Sequence, residues 1–201
     1  MFTQRLATAL RTLVVTLAAP ALLVSACGSS ASSPTATENS AYDVVSKPQL
    51  VPGDALPAPT GPVVLTLSGR IERTNGGNEA RFDLDTLERL GLVEYRVDDQ
   101  QAEGRTVTFR GVLVSDLLAF VGADPSASTL RTVALNDYAV EIPMTDIVEY
   151  PVMLATEVDG ERMPVARYGP TRIVYPSESY DLDPAIYEPR WIWQLASIDV
   201  S

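Results

Sequence analysis

Arg105-Thr-Val-Thr-Phe-Arg-Gly-Val-Leu-Val-Ser-Asp-Leu-Leu-Ala-Phe-Val-Gly122 decides the fold class. Arg105 to Arg110 alternates in the manner of a half-buried strand. Ser115 to Gly122 then offers a capping serine, an apolar run and a glycine stop, the marks of a short helix. Upstream, Leu92 to Val97 reads as a second strand across an acidic turn. Before it, Asp83 to Gly91 reads as another short helix, with Asp83 or Asp85 as its cap and Leu84, Leu87 and Leu90 on one face. Val63 to Gly69 is β-rich, closes on glycine and is expected as the first strand. Downstream, Asn136-Asp137 divides Thr132–Leu135 from Tyr138–Ile142 as a hairpin turn. Asp159-Gly160 does the same between Val152–Val158 and Arg162–Val165. Thr171–Tyr175 and Trp191–Val200 supply the last strands. Strands dominate and the few short helices do not alternate with them, so an α+β domain of mixed sheets over 63–201 is expected.

The residues before that domain read as export and tethering. Arg5 and Arg11 precede a nearly unbroken apolar stretch from Leu13 to Val24, and Ser25 and Ala26 are small. This is the build of a secretory signal over 1–26. The apolar run falls short of the roughly 20 residues that a membrane-spanning helix needs. Val24-Ser25-Ala26-Cys27 resembles the lipobox of bacterial lipoproteins. That resemblance implies a lipid on Cys27, cleavage before it and an extracytoplasmic protein held to a membrane. Residues 27–62, rich in Ser, Thr and Ala and then in Pro, are expected to be a flexible tether.

Charge and composition exclude whole classes. The chain has 26 acidic and 15 basic residues. Removal of residues 1–26 takes away Arg5 and Arg11, so 13 bases face 26 acids, a net of −13. No basic run exists to hold nucleic acid. Histidine is absent, which removes Ser-His-Asp and Cys-His catalysis and the ordinary zinc sites. Cys27 is the sole cysteine, so no intrachain disulfide can form.

Several stretches, taken in order, resemble one family. Phe109-Arg-Gly-Val-Leu-Val-Ser-Asp-Leu-Leu118 is similar to the segment that opens the later half of the molybdopterin-binding domain of sulfite-oxidase-type oxidoreductases. Ala134-Leu-Asn-Asp-Tyr138 resembles the following hairpin. Leu154-Ala155, Asp159-Gly-Glu-Arg-Met-Pro164, Tyr168-Gly-Pro-Thr-Arg-Ile-Val-Tyr-Pro176 and Trp191-Ile192 continue in the family's order. The resemblance implies the sulfite-oxidase-like molybdopterin-binding fold, and oxygen-atom transfer at a molybdenum held by the pterin's two sulfurs and one protein cysteine. This sequence has no cysteine after Cys27. Where the family places a basic stretch against the pterin phosphate, Ser177-Glu-Ser-Tyr-Asp-Leu-Asp-Pro184 carries three acids and no base.

The candidate ligand-binding residues are Arg172, Tyr168, Asn136, Asp137, Tyr138 and Arg190. Arg172, at the family's arginine, is either a fork for an oxyanion or half of an ion pair. Arg190 is either a replacement pterin contact or a surface charge. Asn136, Asp137 and Tyr138 sit at a hairpin tip that turn chemistry alone would explain. Tyr168 offers a ring for stacking, whereas Trp191 and Trp193 are expected to share a strand face in the core. Glu178, Asp181 and Asp183 read as a solvated loop. No catalytic residue, no metal ligand and no cofactor are expected, with molybdopterin as the alternative. Three readings follow: a non-catalytic module for a small anionic ligand or an envelope protein, a molybdopterin-dependent oxidoreductase without the cysteine, and a structural envelope lipoprotein.

Overall fold

The computed structural model describes residues 41–201, so Cys27 and the expected leader lie outside the described residues. Eleven strands and four short helices make up the described part. The first sheet runs β1 (Asp43–Ser46), β4 (Leu92–Asp99), β5 (Arg105–Leu113), β8 (Met153–Val158) and β10 (Arg172–Val174), all antiparallel, with the short β9 (Glu161–Arg162) paired to β8. In the second sheet the order is β3 (Ala80–Phe82), β2 (Leu65–Gly69), β11 (Leu195–Val200), β6 (Thr129–Ala134) and β7 (Ala139–Pro143). There β11 lies parallel to β2 and antiparallel to β6. The helices are α1 (Leu84–Glu88), α2 (Val114–Val121), α3 (Met144–Glu149) and α4 (Pro184–Tyr187). The mixed, strand-dominated α+β class is therefore the observed one.

Alternation along the strands sorts side chains into two cores. Val112, Leu154 and Ile173 of the first sheet join Leu65, Leu67, Ile198 and Val200 of the second, together with Leu117 and Phe120 of α2, in the larger core. Their chain neighbours Leu113, Met153 and Val174 turn to the opposite face of the first sheet. There they pack with Tyr95, Val97 and Phe109. Each fully buried Leu, Ile or Phe contributes about 1.5–3 kcal/mol relative to exposure, so packing without cross-links is sufficient.

Residues 41–62, expected as tether, are built into the domain instead. Their β1 pairs with β4 from Asp43↔Glu94 to Ser46↔Leu92. Leu50 is buried at 8% exposure in the larger core. Further on, Thr60 and Gly61 donate their backbone N–H groups to Asp83 Oδ2 at 2.7 and 2.8 Å. The same carboxylate caps α1 through Oδ1, accepting from Thr86 N at 2.9 Å. The prolines in this stretch remove only N–H donors that an edge segment does not need.

Two local expectations shift. Helix α2 begins one residue before Ser115 and has no side-chain cap, because the chain enters it directly from β5. Its glycine stop holds, with Gly122 at φ 66° in the left-handed region. Residues 191–194 are not a strand, since a 3-10 turn over Glu188–Arg190 ends on Trp191 and Gln194 has φ 52°.

Candidate functional site

Three segments far apart in sequence, together with Arg172, line a cavity of about 590 Å³. The end of β4 brings Asp98, Asp99 and Gln100. The tip of the β6–β7 hairpin brings Ala134, Asn136 and Tyr138. The run from Ser177 to Trp193 brings Leu182, Tyr187, Glu188, Trp191 and Trp193. The Glu188–Arg190 turn is tied to both other segments. Tyr138 donates its hydroxyl to the Pro189 carbonyl at 3.0 Å, and the Gln100 amide donates to the Glu188 carboxylate.

Arg172, on the edge strand β10, is the buried cation of the cavity wall at 3% exposure. Its two terminal nitrogens meet Asp99 end-on, Nη1 to Oδ2 at 2.9 Å and Nη2 to Oδ1 at 2.8 Å. Its faces are filled too, with Phe109 at 5.0 Å and Trp191 at 5.5 Å from the guanidinium carbon. Only Nε is left, buried and without a partner. Of the two readings of Arg172, the structure builds the ion pair.

A second polar cluster stands behind the cavity. Asp146, buried on α3, accepts from the Tyr175 hydroxyl at 2.7 Å and from Arg190 Nη1 at 2.5 Å. Burial first, and then the bond to Asp146, push the Tyr175 phenol far above its ordinary range. Arg190 lies over the Tyr187 ring at 5.1 Å, so it fastens the 188–190 turn to α3. Tyr187 also donates to the Tyr150 hydroxyl at 3.3 Å.

Of the six residues expected to bind a ligand, Arg172, Asn136 and Tyr138 line the cavity. Asp137, at φ 65°, forms the hairpin turn, and Arg190 is directed to Asp146; neither belongs to the wall. Tyr168, at φ 67°, supports the wall from behind, its ring 5.2 Å from that of Trp193. Trp191 and Trp193, expected in the core, are half-buried wall residues because their segment is not a strand. Asp98, Asp99, Gln100 and Glu188 were not singled out at all. The acidity of Asp98, Asp99 and Glu188 was the visible signal, but nothing local distinguishes a cavity acid from a turn acid. Asp183 caps α4 through Ala185 N at 3.0 Å, while Glu178 and Asp181 are exposed, as a solvated loop requires.

The family described as oxidoreductase molybdopterin binding domain matches residues 76–182, just over half of the chain. The chain belongs to that family. Among solved structures, it is similar to a chain of the sulfane dehydrogenase SoxCD from Paracoccus pantotrophus. That likeness has a TM-score of 0.52 and 19% sequence identity, and covers 68% of this chain and 37% of the other. At this identity the similarity is one of fold, and this chain spans little more than a third of the other's length. No curated protein matches the sequence.

The donors of this molybdopterin-family cavity do not fit the family's cofactor. No sulfur ligand is present, because the described chain contains no cysteine. The two terminal nitrogens of the one cavity guanidinium are taken by Asp99, which leaves only Nε. Among the described residues no group of three or more His, Cys, Asp or Glu converges as a metal site. With Asp99 already balancing Arg172 and Glu188 on the same wall, a pterin phosphate would meet no free positive charge beyond the Arg172 Nε–H.

Proposed function

We propose that this chain is a non-catalytic, lipid-anchored member of the molybdopterin-binding oxidoreductase family that binds a small molecule in the cavity beside Arg172. The observation that carries this reading is the end-on Asp99–Arg172 pair in a cavity without a thiol. The arginine that could fork onto an anionic cofactor forks onto the protein's own carboxylate. What remains is a concave, partly aromatic space of a size usual for small ligands. The lipobox-like sequence ending at Cys27 supports an extracytoplasmic position on a membrane.

Family membership favours a second reading, an oxidoreductase that keeps the pterin without a cysteine ligand. Molybdenum analysis and pterin fluorescence on protein made in a cofactor-producing host separate the two. We expect neither metal nor pterin, and stoichiometric molybdenum would establish the second reading. A rise in melting temperature with a small ligand distinguishes the binding module from a purely structural lipoprotein.

A further inference from the structure

Resting on the reading of the cavity as a small-molecule site, we infer that its occupant is an uncharged molecule that presents a carbonyl-type acceptor to Arg172 Nε from a flat, apolar body. The first argument is one unmet donor. A guanidinium carries five N–H bonds in a fixed fork. Asp99 takes one on each terminal nitrogen, at 2.9 and 2.8 Å. Phe109 and Trp191 lie against the faces of the group at 5.0 and 5.5 Å. The edge that carries Nε is what remains, and this nitrogen is buried without a partner on a side chain only 3% exposed. Among the described residues the other buried side-chain atom without a partner is Thr156 Oγ1, which does not line the cavity. A buried N–H without an acceptor carries its full desolvation penalty, so an oxygen placed against it is favoured.

The second argument sets the charge of that acceptor. Both oxygens of Asp99 are engaged by Arg172, so the pair is neutral as a unit. A carboxylate or phosphate at Nε would turn it into a buried cluster of net negative charge, with Glu188 on the same wall. A cation would meet a donor edge and find no free oxygen on Asp99. A neutral carbonyl satisfies Nε and leaves the balance as it is. The third argument is the body. Leu182, Ile192, Trp191 and Trp193 make much of the wall carbon. Tyr168 holds Trp193 in place at 5.2 Å and Tyr138 is hydrogen-bonded to Pro189, so the wall is set before a ligand arrives. Apolar contact then supplies affinity, and the single buried donor fixes orientation.

Three fragments of nearly one shape test this on the full-length chain in a non-ionic detergent. They are benzamide, an uncharged carbonyl, benzoate, its anionic counterpart, and benzamidine, a cation that only donates. Trp191 and Trp193 are the two tryptophans of the chain and both line the cavity, so tryptophan fluorescence reports its occupancy. We expect benzamide to bind at millimolar concentration, benzoate to bind more weakly and benzamidine not to bind. Arg172→Lys keeps a cation for Asp99 and removes the Nε–H. It should weaken benzamide about 10-fold, the scale of one hydrogen bond to a charged group. The fold of that variant is checked by its melting temperature. Should it fail to fold, the comparison of the three fragments on the native chain still decides. Equal or better binding of benzoate or benzamidine overturns the inference and leaves the small-molecule reading standing. Benzamide binding that Arg172→Lys does not weaken overturns it too, as does binding of none of the three. Stoichiometric molybdenum in the purified protein instead overturns the reading on which it rests.

Discussion

Replacing Arg172 with methionine leaves Asp99 as a buried carboxylate without a counter-ion. Breaking one side of a buried pair costs about 3–5 kcal/mol, most of it the uncompensated charge. Arg172→Met should therefore lower stability to urea strongly. Arg172→Met with Asp99→Asn should recover much of the loss, since a neutral amide demands far less than a carboxylate. Asp83 carries a pH signature of its own. Burial raises its carboxyl, but the hydrogen bonds from Thr86, Gly61 and Thr60 outweigh that and hold it well below the usual carboxylate range. The native state thus binds fewer protons than the unfolded chain, whose aspartate titrates at about 4. The stabilisation is complete above that value and is lost as pH falls through the depressed native value. Asp83→Asn should flatten the loss of stability on acidification from pH 5 downward, followed by circular dichroism in urea at each pH. At this scale the sequence was least informative. The partner of Arg172 lies 73 positions away, and no local pattern in Asp98-Asp99-Gln100 marks it. The cap was legible as Asp83 or Asp85, of which the structure uses Asp83, because an N-cap is a contact within one turn.

At the scale of strands and helices, Gly111 shows why β5 reads as it does. It sits where the β5–β8 register shifts, and a Cβ there would lie 2.1 Å from the Leu154 carbonyl oxygen and 2.6 Å from the Ala155 Cα. Both neighbours are backbone and cannot swing away. Gly111→Ala should cost about 3 kcal/mol, the upper end of overpacking in a filled core. In a domain of this size that lowers the melting temperature by roughly 6–12 °C, readable by calorimetry. Strand periodicity and the hairpins at Asn136-Asp137 and Asp159-Gly160 were legible for the same reason as the cap, since turn chemistry is local. The segment 41–62 was not. Its prolines and small residues match the composition of a linker, and the distant acceptors at Asp83, the open edge of β4 and the core around Leu50 make it part of the domain. Trp191 and Trp193 misled likewise, because period two is shared by strands and by an irregular extended run.

For the whole molecule, the proposed anchor at Cys27 can be tested apart from the domain. Under the proposed lipidation, Cys27→Ser should leave an uncleaved or soluble precursor. Membrane fractionation and intact mass check this, and unchanged values in the variant would count against a lipid on that residue. Family membership was legible because the motifs from Phe109 to Pro176 keep their order. The cavity was not, because its wall is assembled from segments far apart in the sequence.

The position of β11 has a consequence for the order of synthesis. Residues 195–200 fill the middle of the second sheet, between β2 and β6. Until they have been made, the strand near residue 65 has no parallel neighbour and the larger core lacks Ile198 and Val200. Closing a loop of well over a hundred residues comes last and is slow. A nascent chain therefore lacks a closed second sheet until nearly its whole length has been made, a condition that suits a polypeptide threaded across a membrane. Under the proposed export, the topology itself postpones completion of the second sheet until passage is complete.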